Sequence, residues 1–116
     1  MTIERHKVGA RMSQAVAHGA TVYLAGQVAD TPDADVRQQT QEVLSKIDDL
    51  LAAAGTDNAK LLSATIWLSD MRYFNDMNAV WDAWVSPGET PGRAYVEARL
   101  AAPHWKVEIA VIAARE

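Results

Sequence analysis

The sequence contains no cysteine. A disulfide framework, a cysteine-ligated zinc or iron–sulfur centre and a thiol nucleophile are therefore excluded. Basic residues are in the minority, with 11 Lys and Arg against 15 Asp and Glu, giving a formal net charge of −4. Nucleic acid is not an expected partner, because binding it takes a basic face that neutralises phosphates. No apolar run approaches the roughly 20 residues that span a bilayer. The first residues lack the basic-then-apolar pattern of a secretory leader. The histidines, His6, His18 and His104, are scattered without metal-ligand spacing, so no metal is expected. There is no phosphate-cradling glycine loop, no dinucleotide fingerprint and no serine in a nucleophile elbow. A cytoplasmic protein with no membrane partner is the expectation.

What is present is an ordinary globular composition, 49% hydrophobic and 22% charged. The 116 residues suit one domain over 1–116. Thr2–Val8 and Ser13–His18 are short and mixed, each a possible strand, with Gly9–Arg11 as the turn. Thr21–Val28 is β-branched and aromatic and reads as a strand, joined to its predecessor through His18-Gly19-Ala20-Thr21. From about Asp35 the period becomes helical. Val36, Val43, Leu44, Ile47, Leu50 and Leu51 share one face, and Gly55 supplies the stop. Leu61–Leu68 alternates as a strand with Leu62, Ala64, Ile66 and Leu68 on its apolar side. Asp70 is placed to cap a second helix whose stripe is Phe74, Met77, Trp81 and Trp84, ended by Pro87-Gly88. Arg93–Leu100 and Lys106–Ala113 read as a final hairpin turning at Ala101–His104.

The order βββαβαββ predicts an α+β sandwich, a mixed sheet with both helices on one face. A strand before and a strand after a single crossover helix are expected to run parallel. Several strands are apolar on both sides: Tyr23 opposes Leu24, Trp67 opposes Ile66 and Ile112 opposes Val111. A second copy of the chain covering the outer face is the favoured explanation, with scattered exposed apolar residues as the alternative.

Arg93 follows Pro91-Gly92 where a loop enters a strand. Alternation places it away from Ala94 and Val96, which are expected to face the helices. The hairpin register would set Glu108 near Tyr95 and diagonal to Arg93. A guanidinium fork suits a carboxylate, and an adjacent acid can position or deprotonate water. Two readings stay open: a small-carboxylate pocket with a water-activating group, or a plain cross-strand ion pair. Glu108, between Val107 and Ile109, is expected to be partly buried and either paired or raised in pKa. Gly26 interrupts a strong strand and permits a bulge or a close approach of backbone. Asn78 lies on the apolar stripe of the second helix, where an amide needs a partner; a structural contact is the expectation.

Taken together, Val22–Val28, Gln39-Thr40 through Ile47-Asp48, Ala54-Gly55, Phe74–Asn78, Pro91–Glu97 and Lys106–Ile109 resemble the RidA/YjgF family across nearly the whole chain. Trp81-Asp82-Ala83-Trp84-Val85 looks most like its YoaB-like branch. The resemblance implies a chorismate-mutase-like fold assembled as a homotrimer, with the sheets as an inner barrel and ligand clefts at the subunit interfaces. It implies cofactor-independent hydrolysis of 2-aminoacrylate and its imine tautomer, 2-iminopropanoate, to the 2-oxo acid and ammonia. Binding of 2-oxo acids without catalysis, or endoribonuclease activity, are the alternatives it carries. On this resemblance Arg93 matches the arginine that binds the substrate carboxylate, Glu108 the glutamate that positions water, and Gly26 the glycine lining the cleft. Met12 stands where a pocket-covering tyrosine is common, Ala25 where a serine is common, and Tyr95 where a cysteine is common. Met12 and Tyr95 thus join the expected substrate-binding wall.

Overall fold

The computed structural model describes residues 1–116. Six strands and two α-helices follow in the order β1 (Ile3–Val8), β2 (Ser13–His18), β3 (Thr21–Leu24), α1 (Val36–Ala53), β4 (Leu61–Leu68), α2 (Phe74–Trp84), β5 (Gly92–Glu97) and β6 (Val107–Ala114). The α+β arrangement is the expected one. β1, β2 and β3 form an antiparallel meander. Gly19 adopts φ 61° in the two-residue turn between β2 and β3, a conformation that favours glycine. The Asp35 carboxylate accepts the Gln38 N–H at 2.8 Å and caps α1. Gly55 (φ 85°) lets the chain leave it. Asp70 caps a short 3₁₀ turn, Met71–Tyr73, which leads into α2.

The strands assemble into one mixed sheet in the order β1-β2-β3-β6-β4-β5. β4 and β5, joined through α2, are parallel as expected for a single crossover. The expected hairpin between β5 and β6 does not form. β6 inserts between β3 and β4, antiparallel to both, and β5 lies at the edge. The residues explain the choice. β6 is apolar on both faces except for Glu108, which suits a central strand, whereas β5 carries Arg93, Tyr95 and Glu97, which suit an edge.

The core lies between the sheet and the helices. Ala15, Val22, Ala64, Ile66, Ile109 and Val111 project into it, and α1 and α2 close it with Val43, Leu44, Ile47, Leu51, Met77 and Trp81. At the start of β4 the register shifts between Leu61 and Ser63, so Leu61 is buried and Leu62 is turned out, the reverse of simple alternation. The opposite face of the sheet carries Tyr23, Trp67, Val96 and Ile112, and Tyr23 is 48% exposed. No helix is long and apolar enough to cross a membrane.

Candidate active site

β5 begins one residue before Arg93, and its pairing with β4 sets Arg93 opposite Ala64. Ala64 is in turn opposite Val111 on β6, and both are buried against the helices. Paired residues share a face, so Arg93 projects toward α2, and Tyr95, opposite the buried Ile66, does the same. This reverses the sequence expectation, in which Ala94 and Val96 faced the helices. Alternation alone favours turning Ala94 and Val96 inward, but the aromatic stripe of α2 receives Arg93 and Tyr95 instead.

The Arg93 side chain enters a nest made by α2 and Tyr95. Its Nη1 donates to Asn78 Oδ1 at 2.7 Å. Its Cζ lies 5.4 Å from the Trp81 ring centre, 5.5 Å from that of Tyr95 and 6.0 Å from that of Phe74. Phe74 and Tyr95 also pack against each other, with centroids 4.6 Å apart. Quadrupole attraction stabilises the cation here. The acidic partners in the ion pairs of the chain belong to Arg37, Lys46, Arg72 and Arg115, so Arg93 is held without a carboxylate.

Glu108 stands elsewhere. It pairs with Trp67 on β4, which pairs with Val96 on β5, and this row points away from the helices. The expected proximity to Tyr95 and Arg93 depended on a β5–β6 hairpin. With β4 between them, the arginine and the glutamate lie on opposite faces of the sheet, and the plain ion pair is overturned as well. Val107 and Ile109 anchor β6 in the core on either side of Glu108. Partial burial pushes the Glu108 carboxyl above the usual carboxylate range, and no cation of the same chain offsets the shift.

Gly26 lies directly beneath this carboxylate. Between the pairs Tyr23–Ile112 and Gln27–Ile109, the β3 side advances four residues and the β6 side three, so Ala25-Gly26 forms a bulge. A Cβ on Gly26 would overlap Glu108 Oε2 and stand 3.0 Å from its Cδ. Met12, 49% exposed, joins Gly26 in lining a cavity of about 440 Å³ with Gln14, Gln27, Lys7 and Lys46. Gln27 Nε2 donates to Gln14 Oε1 at 2.9 Å in its wall.

Of the five residues expected at the site, the chain therefore brings together Arg93 with Tyr95, and Glu108 with Gly26, while Met12 shares a cavity with Gly26. It does not bring the two groups together. Asn78, Phe74 and Trp81 were missed as neighbours of Arg93. The signal was available, since 74, 78 and 81 fall on one helical face and an amide in an apolar stripe requires a partner.

A family model described as "Endoribonuclease L-PSP" matches residues 2–115. A RutC family protein of Haemophilus ducreyi is 46% identical over 112 residues, covering 97% of this chain and 96% of its own. The RutC family protein YoaB of Escherichia coli is 44% identical over 114 residues, covering 98% and 99%. The crystal structure of a YjgF-family protein from Neisseria meningitidis matches with a TM-score of 0.96 at 44% identity, over 100% of this chain and 97% of that one.

Proposed function

The chain belongs to the RidA/YjgF family and has its chorismate-mutase-like fold, and from that premise we propose that it hydrolyses reactive 2-imino and 2-enamino acids to 2-oxo acids and ammonia. The observation that carries the reading is the uncommitted guanidinium of Arg93, held in an aromatic nest with an amide on one nitrogen and no carboxylate of its own chain. An anchored cation with free donors is a receptor for a small carboxylate.

In this reading Arg93 fixes the substrate carboxylate and so orients the adjacent carbon–nitrogen bond. Glu108 holds a water and takes its proton as the oxygen bonds to the imine carbon. The carbon–nitrogen π electrons pass to nitrogen, which is protonated. Collapse of the resulting carbinolamine forms the carbonyl as the carbon–nitrogen bond breaks and ammonia leaves. A carboxyl raised above its ordinary range moves closer to the working pH and suits this proton traffic. Because the two groups face opposite sides of one sheet, the complete site forms only where the β5 edge of one copy meets the Glu108–Gly26 face of another, in a homotrimer. The apolar outer face with Tyr23, Trp67 and Val96 is the surface such an assembly would cover.

An amino acid oxidase generating imines in situ, with semicarbazide trapping the free imine, provides the test. The protein is expected to lower semicarbazone formation by competing for the imine, and Arg93→Ala to abolish that effect. No effect across several imines, with saturable Arg93-dependent binding of 2-oxo acids, would replace catalysis by carboxylate binding alone. The family description also names an endoribonuclease, but the net charge of −4 speaks against RNA as substrate.

A further inference from the structure

We propose that Asn78 divides the Arg93 guanidinium into a protein side and a ligand edge: Nη1 is committed to the amide, and the edge formed by Nε and Nη2 grips the substrate carboxylate. The inference rests on Arg93 being the carboxylate clamp and adds which of its donors do the work, and what sets them.

A guanidinium is a flat fork with five N–H donors. Two of its edges present parallel pairs of N–H groups to a carboxylate. One is the end edge, Nη1 with Nη2, and the other is the side edge, Nε with Nη2. Asn78 Oδ1 sits 2.7 Å from Nη1, and no other side chain or carbonyl of the protein accepts from Arg93. Whichever of the two Nη1 hydrogens Asn78 takes, the side edge keeps both its donors, while the end edge shares Nη1 with the amide. The rings of Trp81, Tyr95 and Phe74 lie 5.4 to 6.0 Å from Cζ. They confine the fork, and Trp81 is itself buried in the core. Phe74, Asn78 and Trp81 come from successive turns of α2, so one rigid element sets both the confinement and the rotation of the fork.

The acceptor is an amide rather than a carboxylate, and the difference is functional. An aspartate at 78 has nearly the same size and keeps an oxygen in place, but it would neutralise the cation on which an anionic ligand depends. A purely structural role predicts that Asp serves as well as Asn. A positioning role predicts that Asp preserves the fold and destroys binding.

The experiment titrates pyruvate, a small 2-oxo acid, into wild type, Asn78→Asp, Asn78→Ala and Arg93→Ala by calorimetry, with melting temperatures measured alongside. The ¹⁵N resonances of the Arg93 side chain are recorded in the same proteins without ligand. Asn78→Asp is expected to melt no lower than wild type while binding pyruvate at least about tenfold more weakly, the scale of losing a charge-assisted contact. Asn78→Ala is expected to bind several-fold more weakly and to average Nη1 and Nη2 signals that are distinct in wild type. Wild-type affinity in a folded Asn78→Asp, or averaged Nη signals in wild type, overturns the inference even if Arg93→Ala abolishes binding. Failure of wild type and Arg93→Ala alike to bind pyruvate overturns the clamp itself, and the ligand edge with it. Distinct Nη signals in that case would leave the Asn78 contact as packing alone.

Discussion

Around Arg93 the chain places three aromatic rings and an amide acceptor; around Glu108 it places a glycine bulge, Trp67 and no cation. The contrast follows from what each group can do when water is removed. A guanidinium stays charged under any ordinary burial and keeps its charge when its faces stack on rings. Surrounding it therefore fixes a permanent cation in one orientation. A carboxylate deprived of water and given no cation changes its proton affinity instead. In the proposed reaction the arginine side would address the ligand and the glutamate side would carry the proton.

Loss of the Arg93 guanidinium is expected to have the largest effect. Arg93→Ala is expected to reduce imine turnover by at least about a hundredfold, because both orientation and charge are lost; imine trapping with semicarbazide measures it. Near-normal turnover would assign the clamp to another residue. Gly26→Ala attacks the other half without substituting either charged residue. The added methyl overlaps Glu108 Oε2, so the carboxylate must move, and turnover is expected to fall on the order of tenfold or more, as misplacement by an ångström can cost. Pyruvate binding through Arg93 should change far less, and an equal loss of both would show that the halves do not act separately.

A pH profile sharpens the contrast further. If Glu108 is the base of the proposed reaction and works deprotonated, the acidic limb of turnover should lie above the ordinary carboxylate value of 4.5. The smallest effect is on stability. With its folded pKa raised, Glu108 binds a proton more readily in the native state than in the unfolded chain. Native stability therefore falls as pH rises from the unfolded pKa through the folded one. Glu108→Gln is expected to raise the melting temperature slightly at neutral pH and to lose that gain in acid, a difference that scanning calorimetry at two pH values detects.

Much of the fold was legible because its signals are local. The face of α1 repeats at helical spacing, Asp35 and Gly55 bracket it, and β4 alternates from Ser63 onward. The sheet order was less legible. Two alternating strands separated by a turn look like a hairpin, and only β6 being apolar on both faces apart from Glu108 marks it as a central strand. Gly26 was readable as a bulge before the partner pressing on it was known. The orientation of Arg93 was not readable, since alternation favours turning the more apolar Ala94 and Val96 inward and the deciding neighbours lie on α2. Asn78 was readable as needing a partner but not as having found this one.

The two halves also differ in how far apart along the chain their parts lie. Asn78 and Arg93 are 15 residues apart, joined by the short passage from α2 into β5. Gly26 and Glu108 come from opposite ends of the chain and meet only when β6 has entered the middle of the sheet. Closing the longer loop costs roughly 1–2 kcal/mol more in chain entropy. The arginine nest is thus within reach of a partly folded chain that holds β4, α2 and β5, whereas the glutamate finds its glycine only with the last strand. On the proposed reading, the half that would hold the ligand needs fewer elements in place than the half that would move the proton.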